Sequence, residues 1–357
     1  MKLKKDSSEQ KLRGAYYTPL QLAKAMVKLC MSENIHTILE PSCGDGVFLN
    51  SLKQLSLIEK MDCVDAVEIE SNEAGKVQNN YLNYPNVHVL NEDFFEFYAR
   101  MACAQKQYDL ILGNPPYIRY QYLTEKQREL QSGILTSHGM QANKLINAWV
   151  AFLVACVQLL SENGRIAFIL PAEILQVAYA EDLRLFLSER LSTITLITFE
   201  QLAFPNIEQE VVVVIGEKGS VEKGIRIIEM NDLSGIENLD PEQYGFQKVQ
   251  HGKEKWTRYF TTAKETELIQ SIREDERFAR FSDYGLINVG ITTGNNGYFS
   301  ISEKTCEKYD LENVTLPLIG RSSHAHGIFF TNEDWEENKA SGKRARLVNF
   351  PDTPIED

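Results

Sequence analysis

The apolar run Tyr108-Asp-Leu-Ile-Leu-Gly113 leads straight into Asn114-Pro115-Pro116-Tyr117, and that junction limits the folds open to this chain. The run has strand character. The two prolines fix φ and remove backbone donors, so the strand cannot continue through them. Carbonyls beside them face outward instead of joining a ladder, next to a short amide and an aromatic ring. The stretch reads as a site that grips one planar group at the carboxyl end of a strand.

The stretch Thr37 to Leu49 reads as an apolar strand, a tight Gly-containing turn and the start of a helix; further strand candidates are Val64 to Ile69, Val87 to Leu90, Arg165 to Leu170, Ile194 to Phe199 and Val211 to Ile215, and helical patterns separate most of them. Thr18 is expected to cap a helix whose first position is Pro19, with Leu22, Ala25, Met26 and Leu29 at helical spacing. The clearest helix runs through Ile146, Trp149, Val150, Leu153, Val157 and Leu160, with Asn163-Gly164 as its stop. Such alternation predicts an α/β fold with a parallel, doubly wound sheet that binds ligands at the carboxyl ends of its strands. Residues 216–264 are richer in Gly, Lys and Glu and read as a connection, whereas Ile287 to Phe299 looks β-rich with Gly/Asn turns. A length of 357 residues leaves room for two domains. The expected boundaries are a flexible arm over 1–14, an α/β domain over 15–220, a connecting segment over 221–262 and a second domain over 263–357.

A net charge of −13 argues against a generally basic nucleic-acid coat, while leaving room for a local cationic groove. The six cysteines are scattered without a C-x-x-C pair and read as reduced thiols, and His324 and His326 have too few companions for a metal site. The first residues are polar, and no apolar run approaches the ~18 residues of a membrane span. A cytoplasmic protein without a metal is expected.

Acidic residues mark three successive strand ends. Glu40-Pro-Ser42-Cys-Gly44-Asp45-Gly46 is a glycine turn between strand and helix, but it lacks the third glycine of G-x-G-x-x-G and no phosphate-binding lysine follows it. Its acids suit a cationic or hydroxyl-bearing ligand. Glu68 stands where an acid can take both hydroxyls of a ribose. Asp93 can accept from an exocyclic amine while Phe94 lies on a base.

The order Tyr17-Thr18-Pro19, Glu40 to Gly46, Val67-Glu68-Ile69-Glu70, Asp93-Phe94, Asn114 to Tyr117, then Phe204-Pro205 before Val211-Val-Val-Val, resembles the gamma group of N6-adenine DNA methyltransferases of restriction-modification systems. The resemblance covers roughly residues 14 to 216. It implies a class I S-adenosylmethionine-dependent methyltransferase fold, Rossmann-like with a mostly parallel seven-stranded sheet, followed by a partial β-rich recognition domain. Thr18 and Glu40 would hold the methionine end of S-adenosylmethionine and the turn Ser42 to Gly46 would approach it. Glu68 would take the ribose, and Asp93, Phe94 and Phe152 would enclose the cofactor's adenine. Asn114 and Pro115 would accept the N6 hydrogens of an adenine flipped out of duplex DNA, with Tyr117 and Phe204 on its two faces.

DNA contacts are expected from Arg119, in a polar stretch read as a loop closing over DNA, and from Asn295, Asn296, Arg321, Lys343 and Arg344. A cognate restriction endonuclease, fused or separate, is the implied partner. The second domain is shorter than is usual in that family, so part of it is expected to be missing. Two other readings remain open here: an N5-glutamine protein methyltransferase, whose pocket would hold an amide without needing Phe204, and a non-catalytic DNA-binding subunit of the same fold.

Overall fold

The computed structural model describes residues 18–142, 146–201, 210–249, 255–286, 290–325 and 327–350. The chain divides after Asp275 into two compact units. In the first, α1 (Leu20–Cys30), β1 (Thr37–Glu40), α2 (Val47–Gln54), β2 (Cys63–Val67), α3 (Ser71–Asn80), β3 (Val87–Leu90), α4 (Phe94–Cys103) and β4 (Tyr108–Gly113) alternate as expected. They are followed by α5 (Glu125–Ser137), α6 (Ala148–Gln158), β5 (Leu160–Pro171), α7 (Glu181–Arg190), β6 (Thr193–Phe199), β7 (Val211–Glu217), β8 (Gly224–Met230) and α8 (Ala263–Glu274).

The strands form one sheet in the order β3-β2-β1-β4-β5-β7-β6-β8. All neighbours are parallel except that β7 runs antiparallel between β5 and β6. Chain order reverses between β1 and β4, so the crevice outside their carboxyl ends is the natural ligand site. The first seven strands are the expected frame. The eighth, β8, lies within the stretch read as a connection; its seven residues are flanked by Gly, Lys and Glu, which hide the pattern. Arg226, buried in the middle of β8, stacks its guanidinium on Phe246 with 4.0 Å to the ring centroid.

Strand alternation loads both faces of the sheet. Leu39, Ile111, Phe168 and Leu170 join one cluster with Phe95, Trp149 and Leu183. Ile38, Leu110, Leu112 and Ile169 join the other with Leu22, Met26 and Phe48. Helix α6 is buried from Ala148 through Val157, so it is apolar all round. It stops at Gln158, and Asn163-Gly164, expected to end it, lies inside β5. The register between β4 and β5 jumps there, from Tyr108 opposite Leu160 to Leu110 opposite Arg165. The sequence shows a turn signal at that irregularity but not which element contains it.

At the amino ends of the central strands, carboxylates fasten the sheet. Asp109 accepts from the His36 and Thr37 amides at 3.1 and 3.0 Å, from the Thr37 hydroxyl at 2.9 Å and from Ser161 at 3.1 Å. Asp65, 3% exposed on β2, accepts from the Tyr108 hydroxyl at 2.5 Å and from Lys106 at 2.6 Å, with His88 Nδ1 at 2.9 Å. Burial alone would raise the Asp65 carboxyl, but the donors Lys106, Tyr108 and His88 outweigh it and hold the group below its ordinary range.

The second unit contains the one-turn α9 (Asn296–Phe299), β9 (Ser300–Ile301), α10 (Glu303–Tyr309), β10 (Thr315–Pro317), α11 (Asn332–Ala340) and β11 (Arg346–Val348). Its antiparallel sheet, in the order β10-β11-β9, has strands of only two or three residues, so the described residues of this unit are mixed rather than β-rich; of the stretch expected to be β-rich, residues 287–289 lie outside the described residues. Gly294, at φ 69°, brings the chain to Asn295, whose side chain accepts the Tyr298 amide; the Gly/Asn stretch therefore starts a helical turn rather than a hairpin. A bidentate pair, Arg346 to Glu303 at 2.5 and 2.8 Å, joins β11 to α10.

Replacing Asp65 by Ala leaves the buried Tyr108 hydroxyl without its acceptor, and should cost about 3 kcal/mol at neutral pH. A lowered folded-state pKa contributes stability above the unfolded value of 3.8 and loses it as pH falls through the folded value. The gap between the urea midpoints of wild type and Asp65→Ala should therefore narrow as pH falls through the folded-state value.

Candidate functional site

A cleft of about 270 Å³ opens at the carboxyl ends of β1 to β4. Six carboxylates line it, from Glu40, Asp45, Glu68, Glu70, Glu92 and Asp93, and none of the described lining residues is basic. Glu40 ends β1 and is 2% exposed; its Oε2 has no hydrogen-bond partner among the described residues. Burial, then the nearby Asp45 and Glu68, push its carboxyl well above the ordinary range. The glycine turn follows, with Gly44 at φ 53° and Gly46 at φ 78°, and Gly46 leads into α2. A Cβ at Gly46 would meet the Val77 methyls at 3.2 Å, so both conformation and space require glycine there.

Glu68 follows β2 and grips this turn. Its Oε2 accepts the Gly44 amide at 2.8 Å and its Oε1 the Glu70 amide at 2.9 Å. Burial nevertheless keeps its carboxyl raised, and burial also raises Asp45. Asp93 caps α4, taking the Phe95 and Glu96 amides at 2.8 and 3.4 Å on Oδ1, while its Oδ2 accepts from Gln127 at 2.7 Å. Phe94 and Phe152 stack with centroids 4.5 Å apart and an interplanar angle of 27°. Phe152 is therefore both a core residue and part of the cleft wall.

The Asn-Pro-Pro-Tyr loop leaves β4 beside this cleft, and Asn114 and Pro116 line it. Bonds from distant parts of the chain hold the loop. Ser42 donates to the Asn114 carbonyl at 3.3 Å, Asn114 Nδ2 donates to Thr18 Oγ1 at 3.3 Å, the Tyr117 hydroxyl donates to the Ile169 carbonyl at 3.1 Å, and the Ala148 amide donates to the Ile118 carbonyl at 2.9 Å. Thr18 does not cap α1 as expected: the helix begins at Leu20 after Pro19, with no side-chain cap. Its hydroxyl, released from that task, meets Asn114. Pro115 is buried and does not line the cleft, and Tyr117 lies outside the acidic cleft, packed against both core clusters.

Phe204 lies outside the described residues. The polar stretch after Tyr117, read as a loop, is largely α5, begun by a capping box between Thr124 and Gln127. Arg119 is exposed just before it. In the second unit, Asn296, Arg321, Lys343 and Arg344 line one cleft of about 600 Å³, with Ser323 and His324 among their neighbours. Asn295 is instead occupied in capping α9.

Gln127, Asp45 and Pro116 are wall residues that the sequence reading did not single out as ligands. For Gln127 the signal was the spacing Thr124-x-x-Gln127, which marks a helix start but not what the glutamine reaches. Cys63, Asp65 and His88 also come within 4.8 Å of one another, a grouping invisible in their spacing, but the Lys106 ammonium already occupies Asp65. Among the described residues, no helix is long and apolar enough to cross a membrane.

The chain is similar to the Type II methyltransferase M.AccI of Acinetobacter calcoaceticus, at 27% identity over 350 residues, covering 94% of this chain and 62% of that protein. It thus spans less than two thirds of that relative's length. The structure resembles that of a DrdV–DNA complex, with a TM-score of 0.63 and 14% identity over 96% of this chain and 44% of that one. It also resembles a putative class I S-adenosylmethionine-dependent methyltransferase from Listeria monocytogenes, with a TM-score of 0.51 and 15% identity over 66% and 74% of the two chains. Residues 253–357 match the C-terminal domain model of the Type II methyltransferase M.Eco57I. Residues 23–204, just over half of the sequence, match the Eco57I restriction-modification methylase model, and the chain belongs to that family.

Proposed function

We propose that this chain carries the catalytic part of a restriction-modification DNA methyltransferase, transferring a methyl group from S-adenosylmethionine to N6 of an adenine flipped out of duplex DNA. The observation that carries this reading is the meeting, in one cleft wall, of an all-acidic pocket with the amide of Asn114. The buried Glu40, with an oxygen unpartnered among the described residues, fits a cationic group better than a phosphate.

Thr18 and Glu40 would hold the cofactor's methionine end beside the Ser42 to Gly46 turn. Glu68 would take the ribose, and Asp93, Phe94 and Phe152 the adenine. Bound there, S-adenosylmethionine supplies an electrophilic methyl group on a sulfonium. The Asn114 side-chain oxygen and the Pro115 carbonyl would accept the two N6 hydrogens of the target base. An N6 amine is a poor nucleophile because its lone pair is delocalised into the ring; accepting both hydrogens frees the pair and aims it. No separate base and no metal are needed for methyl transfer. Tyr117 would lie on one face of the base and Phe204 on the other, where positive charge developing at N6 strengthens the contact.

Unstacking the base requires a few kcal/mol, which such a pocket offsets. Arg119 in the first unit, and Asn296, Arg321, Lys343 and Arg344 in the second, would meet phosphates or base edges, with Asn295 shaping their turn. A cytoplasmic location and a cognate nuclease, fused or separate, complete the reading.

Three measurements test it. Asn114→Ala should lower the rate of tritium transfer from labelled cofactor to adenine in DNA by roughly 10²–10³-fold or more, while cofactor affinity in calorimetry changes far less. Normal methylation by that variant, or label landing in protein instead of DNA, would count against the assignment. Glu40 and Glu68 hold protons above the ordinary carboxylate value of 4.5, so the charge that favours a sulfonium appears as pH rises through their raised pKa values. The affinity ratio of S-adenosylmethionine to neutral-sulfur S-adenosylhomocysteine should therefore grow as pH rises above the ordinary carboxylate value of 4.5; a flat ratio removes the acids from the sulfonium's environment. Arg344→Ala should weaken DNA binding alike across sequences and reduce the salt slope by about one unit.

A further inference from the structure

Cys63 and Asp65 stand two residues apart on β2, so their side chains leave the same face of the sheet, and the register of β2 with β3 sets His88 beside Asp65. Their ligand atoms converge. Cys63 Sγ lies 3.3 Å from Asp65 Oδ1, His88 Nδ1 lies 2.9 Å from the same oxygen, and Sγ and Nδ1 are 3.7 Å apart. The Lys106 ammonium and the Tyr108 hydroxyl occupy the other oxygen, Oδ2, at 2.6 and 2.5 Å. Two donors on Oδ2 fix the plane of the carboxylate, and Oδ1 is left turned towards the sulfur and the imidazole.

This triangle of sulfur, nitrogen and oxygen has the size of one face of a metal tetrahedron. Zinc–ligand lengths of roughly 2.3 Å to sulfur and roughly 2.0–2.2 Å to nitrogen and oxygen set the ligand atoms about 3.4–3.6 Å apart at the tetrahedral angle. The separations here lie within about half an ångström of those values. All three ligands come from paired strands rather than loops, so the sheet holds them in place. Donor type narrows the cation: a thiolate with an imidazole suits zinc, whereas magnesium and calcium take sets of oxygens. Asp65 is buried, Cys63 half-buried and the His88 side chain 50% exposed, so an ion can enter from the His88 side.

We propose that Cys63, Asp65 and His88 form a zinc site towards the amino ends of β2 and β3, with the Cys63 sulfur, Asp65 Oδ1 and His88 Nδ1 as three ligands and water as the fourth. Binding releases the thiol proton to water and changes no oxidation state. The thiolate and the carboxylate together neutralise the ion. Lys106, with Nζ 3.8 Å from Sγ, opposes it, but that side chain is 37% exposed and can carry its ammonium into water, while the Tyr108 hydroxyl still orients Asp65. An occupied site would clamp β3, an edge strand, to β2 at the end of the sheet opposite the acidic cleft. It is independent of what that cleft binds.

Cobalt(II) absorption of the metal-stripped full chain tests the proposal, because a thiolate ligand gives an intense sulfur-to-cobalt charge-transfer band. Wild-type protein should show the band, stoichiometric zinc should remove it, and an excess of magnesium should leave it unchanged. Cys63→Ser should abolish the band, and Cys103→Ser, which removes the exposed thiol, should retain it. His88→Gln alters a half-exposed side chain and should weaken zinc at least tenfold, since losing a direct ligand costs no less than the ~10–100-fold typical of an outer-shell partner. A wild type without the band overturns the proposal, as does a band that survives Cys63→Ser. Should Cys63→Ser fail to fold, an unchanged zinc affinity in His88→Gln overturns it equally, and the three groups are then a hydrogen-bonded cluster only.

Discussion

Buried carboxyl groups with no basic side chain among the described residues lining their cleft are the constraint around which this molecule is arranged. Glu40 sits 2% exposed at the end of β1, with Asp45 and Glu68 as its nearest charged company. Charge in such a place is strongly disfavoured unless a partner arrives, so burial raises the carboxyl well above its ordinary range. The fold compensates in part with backbone amides: Gly44 and Glu70 serve Glu68, and Phe95 and Glu96 serve Asp93. What is left over is an appetite for positive charge at the one place where four parallel strands end together.

The sheet makes that convergence possible because its two ends are treated differently. At the amino ends, Asp65 and Asp109 are saturated with donors and act as fasteners. At the carboxyl ends, the acids are held with spare acceptor capacity. Two sets of carboxylates on the same strands thus acquire opposite characters, shown by the opposite directions in which Asp65 and Glu68 titrate. Burial acts on both; the supply of donors decides the outcome.

The strand frame was largely legible in the sequence, because strands β1 to β4 and β7 are short apolar runs closed by Pro, Gly, Asn or an acid. Glu40, Glu68 and Asp93 were legible for a related reason: each lies at or within three residues of the end of its strand. What could not be read were side chains committed to partners distant in sequence. Thr18 looks like a cap, but it meets Asn114, 96 residues away. Gln127 looks like half of a capping box, and it is that, but its other end reaches Asp93. Strand β8 escaped notice because its neighbours in sequence are loop-like. In the second unit, Gly294 and Asn295 gave a turn signal that helix capping and hairpin formation share, and local pattern could not choose between them.

Bonds that hold the Asn114 to Ile118 stretch come from four separate parts of the chain: Ser42, Thr18, Ile169 on β5 and Ala148 at the start of α6. The loop's conformational freedom is therefore given up during folding, when the sheet and α6 come together, and not when a substrate arrives. A planar guest meets a mould that is already set. Little ordering entropy is then charged against binding, and a group of the wrong outline is refused by shape, because the wall has no slack with which to adapt.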